Sequence, residues 1–282
     1  MKKSALLALL IAGLLIGMNI AQAQDKNSAF RQQRPAETAF LNMLHKALFT
    51  ALPHTFRDWA TGKEDTTFDA MKYWCRDPVS WRDCNGYIIK TMGVSDSYAL
   101  DWEVEFTMPE QQMVGLLRTA MTDIKDYNNG PQVAAALKST NRSKLKIFIV
   151  ANLYITGTGS SMALSYCAKT QPVALLIPVP TTLALKGIRS AECPIMDGGS
   201  VSLHGDYYDT ALVFLGKPVV AKATEHTSDG LTHTRYELAF DRSKIGKLIV
   251  QNIAVQFKGD SADIDEAIKL IDWKKLSDLI EK

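Results

Sequence analysis

The sequence lacks an excess of charge of one sign, any cysteine pair at C-x-x-C spacing, and any long apolar run beyond its first residues. Of its 32 basic residues two are Lys2 and Lys3, so 30 basic residues remain against 30 acidic ones from residue 24 onward. A neutral chain has no net attraction for a phosphate backbone, which argues against nucleic-acid binding. No later segment approaches the roughly 20 apolar residues that cross a bilayer. With 46% hydrophobic and 22% charged residues, the composition excludes a collagen, a coiled coil and a disordered tail.

Residues 1–23 have the features of an export signal. A positively charged start, MKK, precedes an apolar stretch that runs to Met18, and the small-x-small pattern Ala21-Gln22-Ala23 follows. The apolar stretch is too short to span a membrane, so an uncleaved anchor is the weaker interpretation. We expect cleavage before Gln24, a soluble product in the periplasm or outside the cell, and a flexible leader over 24–35.

All four cysteines follow this signal: Cys75, Cys84, Cys167 and Cys193. An even number in an oxidising compartment favours disulfides over free buried thiols. Neighbours in sequence lose less entropy on loop closure, which favours the pairs Cys75–Cys84 and Cys167–Cys193. Each bond would stabilise the fold by about 3 kcal/mol. No histidine stands at zinc-finger spacing from either pair, so neither a metal nor another cofactor is predicted.

The hydrophobic pattern predicts an α+β fold, mainly an antiparallel sheet with helices near the N-terminus, around 109–140 and at the C-terminus. Apolar residues at helical spacing from Phe40 onward predict a helix that Pro53 ends or kinks. Strict alternation from Asp101 to Met108 predicts a strand with one buried and one wet face. Residues 36–282 would form one globular unit, or two lobes over about 36–140 and 141–282.

Further along the chain, the pattern predicts a strand over 145–155, a helix over 181–188 and strands over 211–215 and 219–224. Asp229-Gly230 separates two strand-like segments and predicts a hairpin turn. The alternating segment 253–258 predicts another half-wet strand. A final helix over 264–271 would restart at Asp272.

Sequence motifs for catalysis are weak. Gly259-Asp260-Ser261 resembles the nucleophile block of the GDS-type esterases, in which the partner Asp and His come late in the chain. Here no histidine follows Ser261, and Asp260 or Ser261 would serve equally as a helix cap. The loop 156–161 lacks the lysine of a phosphate-binding loop.

Three histidines are the remaining chemical candidates: His204, His226 and His233. They could supply the base of a secreted hydrolase or ligate a metal only if folding brought partners to them. His226 and His233 flank the expected hairpin turn, where solvated histidines are ordinary. Because no motif combines nucleophile, base and oxyanion donors, a non-catalytic role is preferred and the hydrolase is the alternative.

Aromatic residues are dense between Phe56 and Phe106, and Trp81 lies between Cys75 and Cys84, beside Arg82. A disulfide-stiffened loop that exposes Trp81 and Arg82, with Trp74 nearby, would recognise a small molecule, a glycan or an envelope protein at low entropic cost. The alternative is that these rings fill a core. A third hypothesis is envelope assembly through exposed strand edges.

Overall fold

The computed structural model describes twelve stretches of the chain: residues 30–32, 34–62, 73–75, 100–122, 124–125, 143–152, 163–167, 170–188, 209–216, 220–228, 231–238 and 247–280. The secondary structure is mainly antiparallel sheet with helices, so the predicted α+β class is confirmed. The proposed division into two lobes remains a prediction.

The described helices are α1 (Pro35–Ala51), α2 (Glu110–Thr122), α3 (Ser261–Leu270) and α4 (Trp273–Ser277). The described strands are β1 (Phe30–Gln32), β2 (Ala60–Thr61), β3 (Tyr73–Cys75), β4 (Leu100–Thr107), β5 (Lys144–Ala151), β6 (Ala163–Cys167), β7 (Val173–Ala174), β8 (Leu183–Gly187), β9 (Asp209–Gly216), β10 (Val220–Ser228), β11 (Leu231–Leu238) and β12 (Asn252–Gly259).

Seven strands form a large antiparallel sheet in the order β2-β4-β5-β12-β9-β8-β7. Alternate residues of its central strand, Ile253, Val255 and Phe257, are fully buried in the main core with apolar residues of α1, α3 and α4. Burying these apolar faces together removes a large hydrophobic area from water, which is the main stabilising term of such a layer.

A second, three-stranded sheet in the order β10-β11-β6 packs on the opposite face of the large sheet. Leu164 and Tyr166 of β6 join a smaller core with Leu212 and Phe214 of β9. This layer also covers Ala254 of β12, so the prediction of a half-wet strand over 253–258 is wrong: β12 is central and buried on both faces.

The alternation rule holds where the sheet has only one covering layer. In β4, Val104 and Phe106 are buried while Asp101 and Glu103 are exposed, which confirms the predicted half-wet strand. The predicted strand over 145–155 is β5 as far as Ala151, and α1 ends at Ala51, before Pro53, as expected.

The predicted helix over 181–188 is wrong. Residues 183–187 are strand β8, which pairs with β9 in the register Leu183↔Phe214 and Leu185↔Leu212. Leu183 and Leu185 lie against the smaller core, whereas Ala184 lies against the main one. Packing on two sides of a sheet therefore overrides the weak helical preference of the segment.

Two aspartates begin the C-terminal helices. The Asp260 carboxylate accepts a hydrogen bond from the Ala262 N–H (3.1 Å), and Asp272 accepts one from the Lys275 N–H (2.9 Å). Both satisfy amide donors that a helix leaves unpaired at its start. The capping interpretation of Gly259-Asp260-Ser261 and the restart at Asp272 are confirmed.

Candidate functional site

Most of the predicted recognition loop between Cys75 and Cys84 lies outside the described residues. Trp81, Arg82 and Cys84 do so, as do Cys193 and His204. Trp74 and Cys75 belong to β3, whose backbone pairs with β1 in the register Arg31↔Trp74 and Phe30↔Cys75. The recognition loop therefore remains a prediction.

Cys167 ends strand β6 and is almost fully buried. Its N–H donates to the Ile188 carbonyl (3.1 Å), which ties the end of β6 to the end of β8. Its sulfur is in a disulfide, and the second sulfur does not belong to a described side chain. The predicted connectivity Cys167–Cys193 is accordingly untested.

The hairpin of β10 and β11 contains two of the three histidines that the sequence indicates as candidate functional residues. Ser228 pairs with Leu231, so Asp229-Gly230 is left as a two-residue connection, which confirms the predicted hairpin. The same register places His226 directly opposite His233. His226 is exposed and His233 is partly exposed.

The cross-strand pairing of His226 with His233 can be deduced from the sequence. A two-residue turn at 229–230 fixes the register of the strands on either side, and it makes 226 and 233 cross-strand partners. The turn and the two histidines are each visible in the sequence, and their pairing follows when the two are considered together.

The inner face of the hairpin is fixed to β6 by a polar network. The Tyr166 hydroxyl lies 3.1 Å from Glu225 Oε1 and 3.1 Å from Thr234 Oγ1. Burial raises the pKa of Tyr166, and its hydrogen bond to the Glu225 carboxylate acts in the same direction. The phenol therefore stays protonated and donates to Glu225, which holds that side chain against the sheet.

Strand β10 is the outer strand of the small sheet. Within the described residues it pairs with β11 alone, and all residues from Ala223 to Thr227 are exposed. A register shift between Val220 and Lys222 interrupts one end of the ladder. The regular, exposed part of this edge, residues 223–227, is called the β10 edge below.

His226 and His233 are the described histidines of the hairpin that could act as a general base. Within the described residues, His226 is exposed on the outer strand of its sheet, whereas a general base usually works in a cleft, within reach of a bound substrate. Across the described stretches, no three His, Cys, Asp or Glu side chains gather in a group that could hold a metal ion. None of the described helices combines the length and apolar character that crossing a membrane requires.

Comparison with models of protein families, with curated proteins and with solved structures gave no match. The fold and the site together define an α+β protein in which a three-stranded sheet packs on a seven-stranded one and, within the described residues, β10 is the outer strand of the smaller sheet.

Proposed function

We propose that the chain is an exported protein with a binding or envelope-scaffold role, and that it binds an extended segment of a protein partner along the β10 edge. The observation that carries this proposal is the uninterrupted exposure of Ala223 to Thr227 on a strand that pairs on one side only within the described residues.

An open strand edge presents a row of unpaired N–H and C=O groups, and an added strand satisfies them in register. Soluble proteins usually protect such edges with proline, with charge or by keeping them short. The β10 edge contains no proline, and its one acidic side chain, Glu225, is bonded to Tyr166 beneath it. These features favour strand addition over protection.

Export is part of the proposal. It is supported by the charged, apolar and small-residue segments of residues 1–23 and by the disulfide at Cys167, a bond that persists mainly in oxidising compartments. The pairs Cys167–Cys193 and Cys75–Cys84, and a recognition surface around Trp81 for a small molecule, a glycan or an envelope protein, belong to the same proposal.

The first experiment tests the edge by site-specific photo-crosslinking in cells that export the chain. A photoreactive residue at Ala223 is expected to capture one defined partner, whereas the same residue at Lys274, whose side chain is 80% exposed on α4, is expected to capture none. Equal capture at both positions, or none at Ala223, would contradict the proposal. Intact-mass analysis of the exported protein should show Gln24 as its first residue.

Proline variants then ask whether backbone pairing is responsible. Thr224 and Thr227 are an odd number of residues apart, so their N–H groups point to opposite edges of β10. The test compares Thr224→Pro with Thr227→Pro. The variant that removes an outward-pointing N–H should keep the melting temperature of the natural chain and lose crosslinking at Ala223. The variant that removes an N–H bonded to β11 should lower the free energy of unfolding by about 3 kcal/mol. Capture that persists in the stable variant would exclude strand addition.

A further inference from the structure

We infer that His226 and His233 form a binding site for a divalent transition-metal ion, Cu²⁺ in the first place, on the outer face of the β10–β11 hairpin. This inference does not depend on strand addition at the β10 edge, because it concerns the side chains above the sheet and not the backbone groups at its border.

The register brings the two ligands together. Residues that are directly opposite on antiparallel strands have Cβ atoms about 4.5–5.5 Å apart and project from the same face. His226 and His233 are such a pair, so their side chains project from the same face of the hairpin. Two ring nitrogens at this separation can reach one metal ion.

Both histidine side chains are in contact with solvent. His226 is exposed and His233 partly exposed, so solvent and ions can reach the site. Glu225 directly precedes His226 on β10. Its carboxylate therefore points to the face opposite to the two histidines, where it contacts Tyr166. The protein ligands that the described residues supply are two imidazole nitrogens, one from each histidine.

This ligand set selects the metal. Structural zinc sites use four protein ligands, whereas a tetragonal set of nitrogens and water oxygens suits Cu²⁺ or Ni²⁺. Between these, Cu²⁺ binds more tightly to a given set of nitrogen and oxygen ligands. With two imidazoles and water completing the coordination sphere, the site would be open and exchangeable, as expected of binding or buffering and not of a structural metal.

Calorimetric titration of the purified full chain with Cu²⁺, after removal of metal by a chelator, tests the inference. We expect one Cu²⁺ per chain, and an electron paramagnetic resonance spectrum with hyperfine structure from two nitrogens. His226→Gln and His233→Gln should each weaken binding by at least about tenfold, or about 1.4 kcal/mol. The matched control is His54→Gln, since His54 is exposed but lies in the segment after α1.

Undiminished Cu²⁺ affinity in either hairpin variant would overturn the inference, as would an equal loss in His54→Gln or a spectrum with a single nitrogen. Circular dichroism melting confirms that each variant is folded. Because the titration needs no partner protein, failure of crosslinking at Ala223 would leave its outcome intact, so the two proposals fail separately.

Discussion

Lys186 is a cation buried on the helix-facing side of β8. Its side chain is 8% exposed, and its ammonium donates to both carboxylate oxygens of Asp265 on α3, at 2.6 and 2.7 Å. Asp265 is half exposed, so water solvates the acid better than the base. A pair of this kind connects the sheet to a helix, and the carboxylate offsets the cost of removing an ammonium from water.

The two partners should therefore respond differently to substitution. Asp265→Asn leaves a buried cation without its counter-charge and should lower the free energy of unfolding by about 1–3 kcal/mol. Lys186→Met removes the buried charge itself and should change that free energy by less than about 1 kcal/mol. Urea denaturation of both variants measures this, and an equal loss in both would refute the asymmetry.

Some residues also make contacts that no local sequence pattern indicates. Asn152 is fully buried with a φ of 57°, its amide donates to the Ile249 carbonyl (2.9 Å), and its Oδ1 accepts from the Gln251 N–H (2.7 Å). Asparagine tolerates this left-handed backbone better than most residues do. The sequence shows the asparagine, but its partners are about a hundred positions later and only the folded chain brings them together.

Among the elements, β4 and β5 show how the wet face of a half-buried pair is stabilised. Glu105 on β4 lies 3.0 Å from Lys144 and 2.7 Å from Lys146 on β5. Partial burial alone would raise the pKa of Glu105, but the hydrogen bonds from Lys146 and Lys144 outweigh it and the pKa is lowered overall. The carboxylate is therefore a stabilising charge at neutral pH.

The sign of the resulting pH dependence follows from linkage. A carboxyl group with a lowered pKa in the folded state stabilises above its ordinary pKa near 4.5, and this contribution is lost as the pH falls through the folded-state value. Glu105→Gln should thus be less stable than the natural chain at pH 7, by up to about 1 kcal/mol, and the difference should shrink on acidification below 4.5.

Denaturation of both proteins at a series of pH values between 3 and 7 provides the test for Glu105. Glu103→Gln is the control, because Glu103 is half exposed and Lys146, at 3.6 Å, is its one ion-pair partner among the described residues. It should show a smaller difference at every pH. A Glu105 effect that stayed constant across this range would mean that the contribution is packing and not charge.

Local sequence predicts elements best where each has one dry face. The alternation in β4 predicts that strand to within a residue at each end, and the helical spacing from Phe40 together with Pro53 predicts the position and the end of α1. In β8 and β12 the second sheet covers the face that alternation assigns to water or leaves undecided. Which face a distant sheet covers depends on long-range contacts, so a short segment of sequence cannot predict it.

The candidate site is predictable to the same extent. The turn at 229–230 fixes the register of His226 and His233 locally. The position of β10 at the border of its sheet depends on β6 pairing with β11 from more than sixty residues away. The ligand pair could thus be deduced from the sequence, whereas the open edge could not.

At the scale of the described molecule, the seven-stranded and the three-stranded sheet meet through a small apolar core. The large sheet contains strands from both sides of residue 140, and β4 pairs with β5 along eight residues. The small sheet touches it through Leu164 and Tyr166 and through the backbone bond from Cys167 to Ile188. A bond from Cys167 to Cys193, which follows β8 in the chain, would add a covalent link between β6 and the segment after β8.

If the bond joins Cys167 to Cys193, it closes a loop of about 26 residues and should contribute about 3 kcal/mol to the free energy of unfolding. Cys167→Ala, Cys193→Ala and the double variant should then lose the same amount, because all three remove one bond. Hydrogen exchange should increase in β6, β10 and β11 more than in β5 and β12, since the small sheet loses its covalent link while the central strands stay buried. Additive losses in the double variant would show that the two cysteines belong to different bonds, and unchanged exchange in β6 would show that apolar contacts alone hold the small sheet in place.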